Sequence, residues 1–276
     1  MKTRAFNTID VLPSGLLRKT GPAQKITDEL MWYDNVPDAI RMYTPQVMSE
    51  TVTDDGPGEC SYLMEYLPGE SLAYLIVDKY MSQDFWSNIC VKLEQLLMTM
   101  QSHRRSGPIE DPLFLKKTLN RCPHNLQVVE MVDWLKGYNL PEANSVLHGD
   151  LCFSNILYDD RVDTLKIIDP RGWSGMNGVQ GSQLYDIAKL YHSIIGHYDF
   201  IMENKPPTAR DMDNLWTMRG WLVNYTKREW GVEERVIIAM TSLLFYSMLP
   251  LHAEDPTRVT RLGARAFHFY KVWKNT

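Results

Sequence analysis

The hydrophobic positions of this chain follow two different patterns, and the change between them divides the sequence. Up to about residue 66, apolar residues stand in short runs that end at Gly or Pro, which predicts short β-strands. Asp10 to Leu12 and Leu16 to Thr20 are two such runs, joined by a turn over Pro13 to Gly15. Thr51 to Gly58 is rich in turn residues and predicts a loop, and Ser61 to Gly69 predicts another strand ending in a breaker. We therefore expect a small β-rich N-terminal part.

From about Ser71 the apolar residues recur every three or four positions, which predicts amphipathic helices. The pattern is clear between Trp86 and Met100, from Leu126 to Tyr138 and from Gln183 to Ile195, and residues 200–276 follow it throughout. The chain is thus predicted to have an α+β fold with a larger, mainly helical C-terminal part.

Composition excludes some functional classes. The formal net charge of the 276 residues is -5 and the pI is about 5.8, so no strong field attracts nucleic acid or an anionic membrane. The four cysteines are scattered without a C-x-x-C pair, and no secretory leader precedes the first strand. The apolar run Val236 to Leu251 contains Thr and Ser and is too short for a membrane span, so it predicts a buried helix. We expect a cytoplasmic protein with no membrane or nucleic-acid partner.

The most informative stretch reads H-G-D-L-C-F-S-N-I-L-Y and is followed by L-K-I-I-D-P-R-G. Asp150 ends a short loop, Asn155 opens the strand Ile156 to Tyr158, and Asp169 closes the strand Leu165 to Ile168. The polar residues between the strands predict a hairpin that brings Asn155 and Asp169 to the same end. A carboxylate and an amide oxygen placed there suit magnesium, and Asp150 would face whatever the metal holds.

These residues carry a resemblance to a known family. The five positions that stand in its order are His148, Gly149, Asp150, Asn155 and Asp169. In this pattern the chain resembles the aminoglycoside phosphotransferase and choline kinase family, which is related to protein kinases. The resemblance implies a bilobal protein-kinase-like fold, with a nucleotide-binding lobe over residues 1–66 and a catalytic and acceptor-binding lobe over residues 67–276. It also implies ATP and Mg²⁺ as cofactors.

The resemblance assigns roles around the catalytic loop. It implies that Asp150 is the catalytic residue and that Asn155 and Asp169 hold the metal. His148 is expected to tie the loop backbone together rather than to titrate in catalysis. Asp186, in Y-D-I-A, resembles the family's D-x-A element, whose Asp binds the loop backbone; an Asp that only solubilises the helix is the alternative.

The resemblance also implies residues around the nucleotide. Lys19 is predicted to reach the phosphates of ATP, with Arg18 as its competitor, although a solvated basic strand end remains an alternative. Glu29, on a helix predicted to be capped by Thr27, is expected to hold that cation; an ordinary exposed Glu of a first helical turn is the alternative. The family's Gly-rich phosphate loop is missing, since only Gly15 precedes the cation, so how the phosphates are held stays open.

The segment Glu65, Tyr66 and Leu67 resembles the hinge at which backbone amides pair with adenine, with Met64 behind the base; a plain buried edge strand is the alternative. Because backbone groups would pair with adenine, the side chains of these residues determine little about which nucleotide binds.

The acceptor is the least determined part of the sequence. Arg171 follows the metal-binding Asp, and His252 and Asp255 end the apolar helix in a polar cluster, so these three are candidate acceptor contacts. The predicted function is transfer of the γ-phosphate of ATP to a hydroxyl of a small molecule that is sugar-like, aminoglycoside-like or an amino-alcohol. A nucleotide-binding pseudokinase with a regulatory role is the alternative, and a protein kinase is disfavoured by the short segment after Asp169. A monomer and a homodimer are both compatible with the sequence.

Overall fold

The N-terminal part forms a four-stranded antiparallel sheet with the strand order β1-β2-β4-β3. The computed structural model describes residues 7–56, 58–105, 113–138, 140–173 and 178–276. The sheet consists of β1 (Thr8–Val11), β2 (Leu16–Pro22), β3 (Val47–Gly56) and β4 (Glu59–Glu65). A tight turn joins β1 to β2: the amide of Gly15, whose φ is +79°, donates to the carbonyl of Leu12 at 2.9 Å.

One helix, α1 (Ala23–Asn35), packs on this sheet. Its buried face includes Ile26 and Leu30, which form a small apolar cluster with Tyr62 and Met64 of β4. Trp32 lies on another side of α1 and donates from its indole nitrogen to the carbonyl of Leu147 at 2.7 Å. The helix therefore joins the sheet to the loop that contains His148 and Asp150.

Two smaller sheets frame that loop. One is β5 (Glu70–Ser71), β7 (Ile156–Asp159) and β8 (Thr164–Ile167), all antiparallel in the order β5-β7-β8. The other pairs β6 (Asn144–Val146) with β9 (Gln180–Ser182). In the β7-β8 hairpin Ile156 lies opposite Ile167, so Asn155 and Asp169 emerge at the same end, as the sequence predicted. The loop that contains His148 and Asp150 starts where β6 ends. The two metal-binding candidates, Asn155 and Asp169, lie on either side of the β7-β8 hairpin.

The rest of the described chain is mainly helical. Its helices are α2 (Asp38–Arg41), α3 (Leu72–Asp78), α4 (Gln83–Ser102), α5 (Leu113–Arg121), α6 (Leu126–Gly137), α7 (Gln183–Ile194), α8 (Tyr198–Met202), α9 (Ala209–Trp230), α10 (Glu234–Met248) and α11 (Pro256–Asn275). A single large apolar core runs through them, and α7 lies against α9 and α10 near its centre. The α+β architecture with a β-rich N-terminal part is as predicted.

The most apolar helix is α10. Nearly every residue from Val236 to Ser247 is buried, and α11 packs along it. Among the described residues, Glu234–His252 is long and apolar enough for a membrane crossing by length and composition, but 72% of that window is buried within the protein. The predicted buried helix is therefore confirmed.

Two local predictions were wrong. The segment Thr51 to Gly58 was expected to be a loop, but β3 continues to Gly56 through two register shifts against β4, because tertiary pairing outweighs the turn propensity of its residues. Thr27 was expected to cap α1, but the helix begins at Ala23, after Pro22. The amide of Ala23 donates instead to the carbonyl of Gly58 at 2.8 Å, so a tertiary contact replaces the side-chain cap. The pairs Gly107-Pro108 and Asp111-Pro112 predict a loop from the sequence, and they lie outside the described residues.

Candidate active site

One buried carboxylate binds the backbone of the loop that contains Asp150. Asp186, in the first turn of α7, accepts the amide of His148 at 2.7 Å and the amide of Gly149 at 2.8 Å. Burial raises the pKa of Asp186 to about 7, although both amides act in the opposite direction. The structure thus places Asp186 under the loop, where the D-x-A resemblance predicted it.

Gly149 allows the loop to approach its neighbour closely. Its φ is +79°, and a Cβ atom there would lie 2.6 Å from the carbonyl carbon of Arg171. Gly172 is tighter still, since its Cβ would lie 1.7 Å from the carbonyl oxygen of Leu147. The backbone after Asp169 therefore packs directly on the loop that contains Asp150, and side chains larger than hydrogen are excluded at both contacts.

The imidazole of His148 is a structural link between the two segments. Its Nδ1 accepts the amide of Asp150 at 3.2 Å, and its Nε2 lies 3.1 Å from the carbonyl of Ile168, which requires the neutral tautomer with the proton on Nε2. The ring is fully buried beside Trp32. Burial lowers the pKa of His148 to about 4, so the ring stays neutral at physiological pH.

Asn155 and Lys189 both contact the carboxylate of Asp150. The Nδ2 of Asn155 donates to its Oδ2 at 3.1 Å and to its backbone carbonyl at 2.9 Å. The Nζ of Lys189 lies 2.9 Å from Oδ1, and the Lys189 side chain is only 13% exposed. Burial opposes the charge of Lys189, but the neighbouring Asp150 raises the pKa of the lysine overall. Asp150 therefore faces the cleft with a buried cation against one of its oxygens.

Lys189 is a residue that the sequence analysis missed. It lies three positions after Asp186 on α7, so helical periodicity places both side chains on the face that supports the loop. Applying that spacing to the D-x-A element would have found it.

A second charged cluster links the sheet to the hairpin. The Nζ of Lys19 lies 2.6 Å from Glu29 and 2.7 Å from Oδ1 of Asp169, and the hydroxyl of Tyr62 donates to Glu29 at 2.9 Å. Arg171 donates to the same Asp169 oxygen at 2.8 Å. Asp169 has a φ of +60°, a left-handed conformation that is unusual outside glycine, and it turns the carboxylate toward the cation.

The pKa values of this cluster follow from burial and pairing. Burial disfavours the charged form of Lys19, but Glu29 and Asp169 outweigh it and raise the pKa of the lysine. Burial alone would raise the pKa of Asp169, whereas the charges of Lys19 and Arg171 lower it overall. For Glu29 burial wins over Lys19, and its pKa is raised. The carboxylate of Asp169 is thus ionised at neutral pH.

The two candidate cations on β2 lie on opposite faces of the strand. Lys19 is 4% exposed and points to α1 and the hairpin, whereas Arg18 is exposed. Adjacent strand residues alternate between faces, so only one of them can face Glu29.

The predicted hinge lies where β4 ends. The amide of Glu65 donates to the carbonyl of Gln46 at 2.8 Å, and the Glu65 carboxylate accepts the amide of Gln46 at 2.9 Å. Tyr66 and Leu67 follow in an irregular segment, and within the described residues their amides make no backbone hydrogen bond. Met64 is buried behind them. Of the three predicted hinge residues, Glu65 has its amide engaged by Gln46, whereas the amides of Tyr66 and Leu67 make no backbone hydrogen bond with the described residues.

Of the candidate acceptor contacts, Arg171 alone is brought to the cluster. Asp255 caps α11 by accepting the amide of Arg258 at 2.9 Å, and His252 lies 3.9 Å from Glu254. These contacts of Asp255 and His252 are local to the junction of α10 and α11.

The donor set fits a hard divalent cation. The Nδ2 of Asn155 is fixed by Asp150, which leaves its Oδ1 without a hydrogen bond from any described residue. The Oδ1 of Asp169 accepts hydrogen bonds from Lys19 and Arg171, so its Oδ2 is left for a metal ion. Two oxygens suit Mg²⁺, which takes its other ligands from water and phosphate. Among the described residues, no group of three or more His, Cys, Asp or Glu side chains forms a self-sufficient metal site.

A cavity of about 410 Å³ is lined by residues of α1, β3, β4 and β8, and the hinge candidate Glu65 is one of them. Tyr33, Arg41, Glu65 and Lys166 are among its lining residues, and Asp150, Asn155 and Asp169 are not.

Comparison with known proteins supports the fold. No protein-family model matches the sequence, and no curated protein is similar to it in sequence. Among solved structures, a thermostable mutant of aminoglycoside phosphotransferase APH(4)-Ia in a ternary complex with AMP-PNP and hygromycin B aligns with a TM-score of 0.63 at 13% identity, over 98% of this chain and 92% of that one. The GDP complex of aminoglycoside 2'-phosphotransferase-IIIa aligns with a TM-score of 0.62 at 12% identity, over 100% and 92% of the two chains.

A putative aminoglycoside phosphotransferase from Ralstonia eutropha JMP134 gives a TM-score of 0.59 at 11% identity, over 98% of this chain and 93% of that one. At such identities the likeness concerns the fold. The chain therefore has the bilobal, protein-kinase-like fold of the aminoglycoside phosphotransferases, and the predicted resemblance is confirmed at that level.

Proposed function

We propose that this protein is an ATP-dependent phosphotransferase that transfers the γ-phosphate to a hydroxyl group of a small molecule. The observation that carries the proposal is the convergence of Asp150, Asn155, Asp169 and Lys19 on one cleft. Lys19 bonds Asp169, and Asn155 bonds Asp150. The amide of Ile168, next to Asp169, donates to the carbonyl of Asn155 at 3.0 Å, so the two pairs form one connected site. The nucleotide complexes of proteins with the same fold support it.

Asp150 orients the acceptor hydroxyl and takes its proton as the hydroxyl oxygen bonds to the γ-phosphorus. The bond between that phosphorus and the oxygen bridging to the β-phosphate breaks, and ADP leaves with the electron pair. Lys189 and Asn155 hold the Asp150 carboxylate in one orientation, so the hydroxyl meets a fixed acceptor.

Lys19 and the metal candidates serve the phosphates. Mg²⁺, held by Asn155 and Asp169, would neutralise charge on the triphosphate. Lys19 offers its ammonium to the same phosphates while Glu29 keeps it in place. The backbone of Tyr66 and Leu67 would pair with adenine, with residues 1–66 and 67–276 acting as nucleotide-binding and catalytic lobes. We also propose a cytoplasmic location.

A pseudokinase is the second candidate, and one observation favours it. The turn between β1 and β2, where related folds place a phosphate-binding loop, spans only Leu12 to Leu16. Such a turn offers few backbone amides to phosphate. The intact set of Asp150, Asn155 and Asp169 opposes this alternative.

The test uses Asp150→Asn, which keeps the shape of the side chain but removes its ability to accept a proton. Turnover of Mg·ATP with a panel of hydroxyl compounds should fall by about 10²–10⁴-fold, because a positioned general base contributes that much. Binding of Mg·ATP, measured by calorimetry, should remain within twofold. Chelation with EDTA should abolish turnover, and added Mg²⁺ should restore it.

Asp160→Asn, an exposed change in the β7-β8 turn, is the matched control and should behave as the unmodified protein. Mg·ATP binding without any phosphoryl transfer in the unmodified protein would favour the pseudokinase. Full turnover in Asp150→Asn would remove the proposed role of this residue.

A further inference from the structure

The cleft beside Asp150 is lined by cations from two helices. Lys189 of α7 touches the Asp150 carboxylate, and its ammonium lies 5.9 Å from the ring centre of Tyr185 on the same helix. Arg171 is paired with Asp169. Each of these two carboxylates thus already has a described cationic partner before any further cation is counted.

Helix α5 brings two more cations to the same place. The ring of Phe114 packs on the ring of Tyr185 with centroids 5.1 Å apart, so this edge of α5 faces α7. Lys117 and Arg121 lie three and seven positions after Phe114, and helical spacing places them on the Phe114 side. Lys117 and Arg121 therefore lie on the side of α5 that faces Tyr185 and Lys189 of α7.

The electrostatics agree with this placement. The side chain of Lys117 is accessible to solvent, but neighbouring protein atoms partly desolvate its ammonium group. Both properties are typical of a residue in the wall of a cleft. Desolvation, and then the positive charges of Arg121 and Lys189, lower its pKa to about 8, while Asp150 acts in the opposite direction. The lysine thus interacts with the catalytic candidate and with three cations, since Arg171 also contributes.

Neither α5 cation is neutralised by the part of the chain that the structure describes. Lys117 makes no ion pair or hydrogen bond with the described residues, and Arg121 donates to the carbonyl of Ser247 at 3.4 Å rather than to a carboxylate. Holding like charges together without a counterion disfavours the charged forms. Such an arrangement suits a site whose ligand supplies the negative charge.

We infer that the acceptor carries an anionic group, a phosphate or a carboxylate, which binds Lys117 and Arg121 while its hydroxyl meets Asp150. This inference rests on the proposed phosphotransferase function and narrows its substrate class. The two cations are neighbours at positions i and i+4, about 5–6 Å apart at Cβ, a separation that one phosphate or carboxylate can bridge. A polycationic acceptor such as an aminoglycoside would be repelled by the same wall.

The experiment compares acceptors that share a scaffold and differ in charge. Each set contains a neutral sugar or polyol, its phosphate ester, its carboxylic acid and its amino derivative, and transfer from Mg·ATP is followed by ADP release and by mass of the product. We expect kcat/KM to be at least tenfold higher for an anionic member than for its neutral and amino counterparts. Comparing kcat/KM for the phosphate ester with kcat/KM for the carboxylic acid shows which anion is preferred.

Charge reversal at Lys117 of α5 tests whether this residue binds the anionic group of the acceptor. Lys117→Glu should raise KM for the anionic acceptor by roughly tenfold or more while leaving the KM for ATP within twofold, because the lost contact is with the acceptor alone. Lys116→Glu is the matched control: it makes the same charge change on the adjacent, exposed position, which faces away, and should alter either constant less than twofold. The melting temperature of each variant checks folding.

The outcomes separate the inference from the proposed function. Absence of transfer to every compound, together with no binding of Mg·ATP, would refute the phosphotransferase. Transfer that prefers neutral or amino compounds would overturn the anionic acceptor and leave the phosphotransferase standing. Equal effects of Lys117→Glu and Lys116→Glu would show that the α5 wall does not bind the acceptor.

Discussion

At the scale of single residues, the candidate site depends on which groups stay neutral and which stay charged. His148 is neutral because it is buried and uses both ring nitrogens in hydrogen bonds to the two segments of the site. Lys19 and Asp169 are charged because each supplies the other's counterion. The neutral histidine therefore links the two backbone segments, while Lys19 and Asp169 stay charged, as the proposed function requires.

His148 predicts a pH dependence of stability. Its pKa is about 4 in the folded protein and about 6.5 in an unfolded chain, so the unfolded chain binds the proton more tightly. Protonation thus favours unfolding as pH falls below 6.5, and the loss is complete below pH 4. It amounts to about 3 kcal/mol from this group.

Urea unfolding between pH 7.5 and 4 measures this effect. In His148→Asn the free energy of unfolding should be lower at pH 7.5, because the ring's contacts are lost, but should depend less on pH between 6.5 and 4. Parallel curves for the two proteins would show that His148 is not buried in its neutral form.

At the scale of elements, two backbone segments pack without side chains between them. The loop after β6 and the segment after Asp169 touch at Gly149 and Gly172, and Asp186 of α7 holds the first of them from below. Three elements thus set the position of Asp150 relative to Asp169.

Gly172→Ala should separate these segments. Its Cβ would lie 1.7 Å from the carbonyl oxygen of Leu147, a backbone atom that can move only with the loop. We expect a loss of roughly 2 kcal/mol or more in the free energy of unfolding, together with a fall in turnover. Thermal unfolding and steady-state kinetics measure the two effects.

Gly220→Ala is the matched control. Gly220 lies within α9, and a Cβ there meets nothing within 4 Å. This change should raise stability by up to about 1 kcal/mol through helix propensity and leave turnover unchanged. A similar loss of stability in both variants would mean that the contact at Gly172 is not tight.

Much of the element pattern was predictable from the sequence. The hairpin around Asp159, the helices Leu126–Gly137 and Gln183–Ile194 and the apolar helix α10 appeared close to their predicted bounds, because each carries a strong local period. The extension of β3 to Gly56 was not predictable, since pairing with β4 decides it and the sequence of β3 alone is typical of a loop.

At the scale of the whole molecule, one side chain connects the two parts of the fold. Lys19 extends from the sheet to Glu29 of α1 and to Asp169 beyond β8, and Trp32 of α1 adds a hydrogen bond to Leu147. Relative motion of the two parts would therefore change the distance between Lys19, the proposed phosphate contact, and Asp169, the proposed metal ligand.

Lys19→Met tests this link. It removes the cation but retains an unbranched chain, so Glu29 and Asp169 lose their buried counterion and stability should fall by roughly 3 kcal/mol. Stabilisation by Mg·ADP in thermal unfolding should also be largely lost, because the phosphates no longer find the cation.

Arg18→Met makes the same change in net charge on the exposed face of β2 and should alter neither stability nor nucleotide stabilisation appreciably. If Arg18→Met instead removed the nucleotide effect and Lys19→Met preserved it, the exposed arginine would be the phosphate-binding cation.

The sequence by itself determined the order and type of the elements around the catalytic loop, because hydrophobic period, turn residues and the H-G-D-x-x-x-x-N pattern are local properties of the chain. It also placed Asp150, Asn155 and Asp169 at the ends of elements that a hairpin must bring together. Only the tertiary structure decided which face of β2 meets α1, and hence that Lys19 is buried while Arg18 is exposed. It alone showed that Lys189 reaches Asp150 and that Phe114 packs α5 against Tyr185 of α7, because those contacts join residues far apart in sequence through packing that no local pattern records.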